Sequence, residues 1–210
     1  MIKLEHCDVY GWEAAIRGMR NPKNSWDKSD SHWADLGKGM PYYEVGDNDL
    51  KLMQILSKSG NDHGKFLRMI HVTVDVTAPL YWWKEADQYK VGTTTDSCST
   101  MHKIHAKEFT LDDFSVEHLT SGNLEGFKMV LNCLNTARQN FNETRDKLWW
   151  WQMIQTLPSS YNQRRTWDLN YAVLKNIYHA RKNHKLDEWH EFCRWIEILP
   201  YAKELIVGDE

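Results

Sequence analysis

The densest run of hydrogen-bonding side chains in the sequence lies between Thr93 and Thr100. Seven of its eight residues carry a hydroxyl or a carboxylate, and the eighth, Cys98, is a thiol. Hydroxyl groups and backbone N–H groups suit a phosphate or a pyrimidine carbonyl, although the same composition is typical of a solvated loop. Basic residues flank the run on both sides: Lys84, Lys90, His102 and Lys103. Because phosphate binding needs such neighbours, the segment from Arg68 to Lys103 is predicted to hold an anionic, nucleotide-like ligand.

A second set of polar residues lies in the C-terminal half, on a helix predicted to run from Thr166 to about Asn183. Asn170 and Arg181 are eleven residues apart and therefore nearly aligned on a helix, with apolar residues between them. This pattern indicates a site at the rim of the core, or equally two surface residues with extended side chains. The pair Arg164-Arg165 is either a phosphate clamp or a solvated pair.

Several chemistries lack their usual motifs. No His pair has a carboxylate at a familiar ligand offset, and HExxH, Walker, GxGxxG and GxSxG patterns do not occur. We therefore expect no metal site. The four cysteines are scattered and form no CxxC pair, which is typical of reduced thiols rather than of a disulfide framework.

Composition limits the class of protein. The chain has 210 residues, a net charge of −3 and no apolar run long enough for a membrane helix. A protein that binds nucleic acid non-specifically needs a basic face, which this balance does not support. We expect one soluble, cytoplasmic domain spanning residues 1–210, with no membrane or nucleic-acid partner. The 11 Trp and 9 Tyr are typical of large cores and oligomer interfaces, although some rings could stack on a flat ligand.

The elements that position these residues follow from periodicity. From Arg68 to Val76, branched apolar residues at even positions alternate with mostly polar ones, which predicts a half-buried strand. Thr77-Ala78-Pro79 then starts a helix to about Tyr89, with Thr77 as a plausible cap. The predicted class is α+β, a helix-rich domain with a small, mainly antiparallel sheet.

The remaining segments are predicted mainly as helices. The chain opens with a short strand to Val9, and a polar segment from Asn21 to Gly46 is predicted as a long loop that is functional or mobile. Helices are expected at 11–20, 49–59, 123–141, 166–183 and 186–206, the last with a kink or split at Pro200. A further helix, capped by Asn142 or Thr144, is expected to end near Leu157.

Two blocks of the sequence, 74–101 and 157–189, resemble the flavin-dependent thymidylate synthases. In the first block, Thr77-Ala78-Pro79 matches a strand that ends in an Ala-Pro step. Gln88-Tyr89-Lys90 then stands where that family has Arg-His-Arg, and Cys98 stands at the family's Ser, or Ser97 or Ser99 after a one-residue slip. The second block is the more specific and matches the family's C-terminal pattern at these positions: Leu157-Pro158, Arg164, Trp167, Asn170, Leu174, Asn176, Arg181 and, after a one-residue insertion, Trp189.

The resemblance implies a fold, an assembly and a reaction. The fold would be that of the family, in a homotetramer with active sites between subunits and FAD over a pyrimidine nucleotide. The reaction would be reductive methylation of dUMP to dTMP, a methyltransferase step of nucleotide biosynthesis. Methylenetetrahydrofolate and NADPH would be the co-substrates.

The resemblance and the anion-binding segment from Arg68 to Lys103 together give the candidate site residues. Arg181 would lie beside the pyrimidine, and Asn170 and Asn176 would contact the flavin. The residues expected to be catalytic are Cys98, Ser99 and Arg181. Those expected to bind the nucleotide are Lys84, Glu85, Lys90, Ser97, Thr100, His102 and Arg164. Those expected to bind the cofactor are Arg68, Gln88, Tyr89, Asn170 and Asn176.

The chain departs from the family at cationic positions, which leaves alternatives open. The Arg-His-Arg triplet is replaced, Thr100 stands where the family has an Arg, and a phosphate-binding Arg falls on Ile154. Lys and Thr do not replace a bidentate Arg in kind. The protein could therefore be a nucleotide-binding homologue without chemistry, or a structural assembly protein. Cys98 could add to the pyrimidine C6 as a thiolate activated by Lys90, or be an inert thiol.

Overall fold

The computed structural model describes residues 1–35, 37, 39 and 41–208. The described residues form six strands: β1 (Lys3–Tyr10), β2 (His32–Asp35), β3 (Pro41–Glu44), β4 (His71–Pro79), β5 (Thr94–Ser97) and β6 (Asn162–Asn170). They also form seven α-helices: α1 (Trp12–Arg20), α2 (Asp47–Lys58), α3 (Leu80–Ala86), α4 (Ser121–Thr144), α5 (Lys147–Thr156), α6 (Tyr171–Arg181) and α7 (Asp187–Glu197). A 3₁₀ helix, Gly64–Met69, precedes β4, and a π-helical turn, Lys203–Val207, follows α7.

Two compact units make up the chain. The first comprises Met1–Leu4, Asp75–Gln88 and Thr95–Thr166. The second comprises Glu5–Val74, Tyr89–Thr94 and Trp167–Glu210. The main sheet has the strand order β1-β4-β6-β5.

The alternation predicted for β4 is confirmed. Ile70, Val72, Val74 and Val76 are fully buried, and the intervening residues from His71 to Thr77 are half-buried. Branched side chains suit this position because β4 lies between two other strands and packs one face into the core. The strand begins later than predicted, since the preceding residues form the 3₁₀ helix.

The start of α3 differs from the prediction. Thr77 is part of β4, and Pro79 is the extended residue before the helix, without a side-chain cap. Proline pre-sets the backbone dihedral for this step. The helix ends at Ala86 rather than near Tyr89.

The predicted helix from Thr166 to Asn183 is wrong in its first part. Residues up to Asn170 form β6, and α6 begins at Tyr171. Trp167 and Leu169 are buried at alternate positions, but the polar Gln163 is buried on the same strand and masks the alternation in the sequence. The Asn170 side chain accepts a hydrogen bond from the Val173 N–H at 3.0 Å and so fixes the start of α6.

The predicted loop from Asn21 to Gly46 is also wrong, because the described part of this segment is folded. Two short 3₁₀ turns are followed by the antiparallel hairpin β2–β3, in which His32 pairs with Glu44. Leu36, Lys38 and Met40 lie outside the described residues. A fully buried carboxylate, Asp49, holds the segment by accepting hydrogen bonds from four residues: Arg20, Ser29, Asp30 and Ser31.

Helices α4 and α5 dominate the first unit and enclose its apolar cluster. The buried members of that cluster are Ile104, Phe109, Phe114, Leu134, Ala137 and Met153. Asp146 caps α5, so the expected caps Asn142 and Thr144 are wrong: the carboxylate accepts from the Leu148 N–H at 2.9 Å. Pro200 separates α7 from the final turn, as predicted.

The helix-rich α+β class with small antiparallel sheets is confirmed. Among the described residues, no helix combines the length and apolar character needed to cross a bilayer.

Candidate functional site

A cavity of about 870 Å³ lies in the second unit. Its walls come from the end of α2, the 3₁₀ helix before β4, the turn at Gly92 and the first turns of α6. The residues that line it are Ser57, Lys58, Gly60, Asn61, Gly64, Leu67, Arg68, Val91, Gly92, Asn170, Ala172, Val173, Lys175, Asn176 and His179. Three of the five residues expected to bind a cofactor are among them, namely Arg68, Asn170 and Asn176.

The turn at Gly92 is joined to the start of α6 by Asn170. The Asn170 amide donates to the Gly92 carbonyl at 3.3 Å, while its oxygen accepts from Val173. Gly92 has φ +76°, and a Cβ there would lie 2.8 Å from Nδ2 of Asn170. Glycine is therefore required for both the backbone angle and the close approach. Asn170 is only 6% exposed, so its amide is a fixed part of the cavity wall.

The charges of the lining favour an anion. Lys58, Arg68 and Lys175 contribute three cations, and none of the described residues that line the cavity is Asp or Glu. Arg68 is exposed and forms no ion pair with another described residue. A guanidinium presents five donors that match a phosphate or carboxylate, which makes Arg68 an available anion-binding group.

Lys175 is held by Ser57. Its Nζ donates to the Ser57 carbonyl at 2.8 Å and to Ser57 Oγ at 2.7 Å. Burial, and then the nearby charge of Lys58, lower the pKa of the Lys175 ammonium from its ordinary value. Both effects disfavour the charged form, and a bound anion would favour it.

The remaining wall of the cavity is formed by Asn176 and His179, which follow on α6. The Asn176 side chain is exposed and has no hydrogen-bond partner among the described residues. Nε2 of His179 lies 2.9 Å from the Ile206 carbonyl, so that nitrogen carries a proton and Nδ1 accepts when the ring is neutral. The cavity thus offers amide groups in addition to its cations.

Arg181, which was expected to be catalytic, lies at the end of α6 between two rings. Its Nε donates to the hydroxyl of Tyr89 at 2.9 Å. Its guanidinium carbon lies 4.9 Å from the ring centroid of the fully buried Trp189 and 5.6 Å from that of Tyr89. The structure therefore brings together two expected site residues, and the aromatic rings limit the orientations open to the guanidinium.

The hydroxyl-rich run forms a short strand and a turn rather than a loop throughout. Thr94–Ser97 is β5 and is exposed. Cys98 is exposed, its N–H donates to the Arg164 carbonyl at 2.9 Å, and its carbonyl accepts from Gln163 at 2.8 Å. Ser99 Oγ accepts from the N–H groups of Met101 and His102, so this hydroxyl shapes the turn.

The Arg164-Arg165 pair is engaged within the first unit. Arg164 donates to Asp75 at 2.5 Å. Arg165 donates to Asp87 at 2.6 Å and lies 4.2 Å from the ring centroid of Trp83. A phosphate at either arginine would have to compete with a carboxylate that is already in place.

The other expected site residues lie near the surface. Most of them belong to the first unit: Lys84, Glu85, Gln88, Ser97, Thr100 and His102. Lys90 is exposed and belongs to the second unit. Ile154, which stands at a phosphate-binding position of the resembled family, packs instead against the apolar cluster of the first unit.

Sequence reasoning missed Ser57, Lys58, Lys175 and His179 in the cavity wall. The signal in the sequence is weak, because Lys175 is a single polar residue on a helix and stands in no motif. The distance in sequence between Ser57 and Lys175 also hides their contact. Among the described residues, no three side chains of His, Cys, Asp or Glu form a group that could hold a metal ion.

Comparison with known proteins identifies the fold. No protein-family model and no curated protein sequence matches the chain. Two solved structures of a flavin-dependent thymidylate synthase from Helicobacter pylori, both with FAD and dUMP, are similar to it. Each aligns over 98% of this chain and 97% of the other, with a TM-score of 0.68 and 17% identity. The chain therefore has the fold that its sequence blocks predicted.

Proposed function

We propose that the protein is a divergent enzyme of the flavin-dependent thymidylate synthase type, which uses FAD to transfer a one-carbon unit to a pyrimidine deoxynucleotide. The observation that carries the proposal is the cationic cavity lined by Arg68, Asn170 and Asn176. The resemblance assigned Asn170 and Asn176 to the flavin, and Arg68 belongs to the segment predicted to bind an anion. The fold is shared with proteins solved with FAD and dUMP.

The donor groups of the cavity fit FAD. A flavin ring has carbonyl and N–H groups along one edge, which side-chain amides such as that of Asn176 can bind. The diphosphate is anionic and suits Arg68, Lys58 and Lys175. The volume of about 870 Å³ is near the upper end of the range of about 300–1,000 Å³ for small-molecule sites, as a dinucleotide requires.

In the proposed reaction, the pyrimidine nucleotide binds near Arg181 and FAD supplies the redox chemistry. Arg181, oriented by Tyr89 and Trp189, would stabilise negative charge on the pyrimidine. Methylenetetrahydrofolate would be the carbon donor and NADPH the reductant, and either Ser99 or Cys98 is proposed as a further catalytic side chain. The product would be dTMP if the substrate is dUMP.

We also propose a homotetramer with sites at subunit interfaces. Helix α5 is rich in apolar residues, including Trp149-Trp150-Trp151, yet Met153 is its only buried residue in the described chain. Leu148 is 56% exposed and Trp151 is 43% exposed. Large apolar residues on a soluble protein's surface are typical of interfaces between subunits.

A second candidate function is nucleotide binding without turnover. It is favoured by the pairing of Arg164 with Asp75 and by the packing of the partly buried Ile154 against apolar residues, because both positions are expected to meet a phosphate. In addition, Gln88-Tyr89-Lys90 stands where the resembled family has Arg-His-Arg, so two further arginines are absent. A purely structural assembly protein is the third candidate, and it would bind neither FAD nor a nucleotide.

Purified protein distinguishes these candidates. An absorbance spectrum and an FAD titration report the cofactor, and thermal shift with dUMP and dCMP reports the nucleotide. Because methylation at C5 replaces a hydrogen, release of tritium from [5-³H]dUMP with methylenetetrahydrofolate and NADPH reports the reaction. Turnover supports the enzyme, binding without tritium release supports the second candidate, and absence of any binding supports the third.

The role of Cys98 is tested in the same assay. Cys98→Ala should abolish tritium release if the thiolate attacks the pyrimidine, whereas Cys133→Ala, at another exposed cysteine, should leave it unchanged. Full turnover by Cys98→Ala would exclude the thiolate and leave Ser99 as the candidate.

A further inference from the structure

We propose that Lys175, held in place by Ser57, binds the diphosphate of the ligand in the cavity of the second unit. Neither residue was among the expected site residues. The identification of the ligand as FAD rests on the proposed function, but the anion-binding role rests on the geometry of the cavity.

The hydrogen bonds of Lys175 leave one donor for a ligand. An ammonium has three N–H groups, and two of them reach the carbonyl and Oγ of Ser57. The Ser57 hydroxyl donates its hydrogen to the Leu205 carbonyl at 2.9 Å, so its oxygen acts as an acceptor towards Lys175. No other described residue accepts from Nζ. The third N–H is therefore available at the wall of the cavity.

Ser57 makes the position of this donor specific. Ser57 is only 7% exposed, and both of its oxygen atoms restrain the ammonium. A lysine side chain is otherwise flexible and loses much rotamer freedom when it binds a ligand. Since Ser57 already restrains the chain, less freedom is lost when an anion arrives.

The surrounding charge selects a multiply charged anion. Lys58 and Arg68 line the same cavity as Lys175, and none of the described lining residues offsets them with a carboxylate. The three cations belong to three different segments: the end of α2, the 3₁₀ helix and α6. Cations spread over the wall in this way suit an extended diphosphate, which presents charge at two phosphorus centres.

The decisive experiment compares FAD with riboflavin, which has the same ring system but no phosphate. Lys175→Met keeps an unbranched side chain, one atom shorter, and removes the charge. Loss of a charge-assisted hydrogen bond should raise the Kd for FAD roughly tenfold or more, measured by flavin fluorescence. The Kd for riboflavin should change by less than about twofold, since riboflavin carries no phosphate for the ammonium to bind.

Controls separate binding from folding. Lys182→Met removes an exposed lysine just after α6 and should leave both affinities unchanged. Lys175→Gln is a second neutral variant that keeps a hydrogen bond to Ser57 within reach. Thermal unfolding of each variant establishes that the fold is retained. Inorganic pyrophosphate should compete with FAD in the parent protein and compete less well in both Lys175 variants.

The outcomes distinguish this proposal from the proposed function. Suppose that the parent protein binds FAD. If the Lys175 variants bind FAD equally well, or if their affinity for riboflavin falls as much as their affinity for FAD, the inference is overturned while the flavin enzyme stands. If the parent binds no FAD but binds pyrophosphate through Lys175, the anion site stands and the flavin function fails. If the parent binds neither compound, both proposals fail.

Discussion

Replacing Asp49 by asparagine should strongly destabilise the second unit. Asp49 is fully buried, and its carboxylate accepts a hydrogen bond from Arg20 Nε at 2.6 Å. Arg20 is itself only 4% exposed. An asparagine keeps one acceptor oxygen but leaves the Arg20 charge without its counter-ion. Removing one partner of a buried ion pair typically costs about 3–5 kcal/mol, and we expect a loss of that size in the free energy of unfolding.

The loss of stability caused by Asp49→Asn should depend on pH, and the pKa of Asp49 sets the direction. Burial raises the pKa of Asp49, but hydrogen bonds from Ser31, Ser29 and Arg20 together outweigh it, so the pKa lies below its ordinary value. The unfolded chain therefore takes up this proton first as the pH falls. The stabilisation is complete above the unfolded pKa of roughly 4 and is lost as the pH falls through the folded pKa. The difference between parent and variant should be constant from about pH 5 to 8 and shrink below that window.

Urea unfolding followed by circular dichroism measures the effect, and hydrogen exchange locates it. Exchange should accelerate most in the hairpin β2–β3 and the turns before it, because Asp49 holds that segment through Ser29, Asp30 and Ser31. Asp62→Asn is the matched control, since Asp62 is exposed in a turn and should change stability by about 0.5 kcal/mol or less.

A loss below about 1 kcal/mol for the Asp49 variant would refute the reasoning, because it would mean that the buried charge of Arg20 finds another partner at little cost. Equal acceleration of exchange throughout the second unit would show that Asp49 does not hold the segment in particular.

Three further predictions concern the site and its thiols. Asn170→Ala should cost about 2 kcal/mol in thermal or urea unfolding, because it removes a helix cap and the bond to Gly92. Tyr89→Phe should cost about 1–2 kcal/mol in chemical unfolding, since the ring remains but Arg181 loses the Tyr89 hydroxyl as one of its acceptors. Burial raises the pKa of Cys193 to about 11, so iodoacetamide at pH 8 should label this thiol only after unfolding, as peptide mass spectrometry would show.

Each of these predictions has a matched comparison. Thr120→Ala removes a cap whose hydrogen bond is longer, at 3.4 Å, and exposed, so it should cost less than Asn170→Ala. Tyr10→Phe removes an exposed hydroxyl at 3.4 Å from Asp168 and should cost less than Tyr89→Phe. Cys98 and Cys133 are exposed and should be labelled in the folded protein. A reversed order in any pair would contradict the assignment made from the structure.

Local patterns in the sequence predicted some elements well. The alternation from Ile70 to Val76 predicted β4 because a half-buried strand imposes a period of two on its own residues. The spacing of the blocks 74–101 and 157–189 predicted the fold, which the structural similarity confirms. In both cases the information is contained in short segments and does not depend on distant parts of the chain.

Other elements could not be predicted because distant residues decide them. Residues 162–170 form β6 beside β4, although Gln163 interrupts the apolar alternation that would have indicated a strand. The polar segment after Asn21 looked like a loop, since nothing in its composition shows that Asp49 satisfies its hydrogen bonds. Secondary structure of this kind is chosen by tertiary pairing rather than by local propensity.

For the candidate site, the sequence by itself predicted Arg68, Asn170 and Asn176 as cofactor-binding residues, and the spacing of the resembled family's C-terminal block supplied the two asparagines. Only the tertiary structure showed that these residues share one cavity and that Lys175 is held there by Ser57, more than a hundred residues away in sequence. The physical reason is that charge and hydrogen bonding act through space. A cationic site arises where the fold brings distant side chains together and leaves out the carboxylates that would neutralise them.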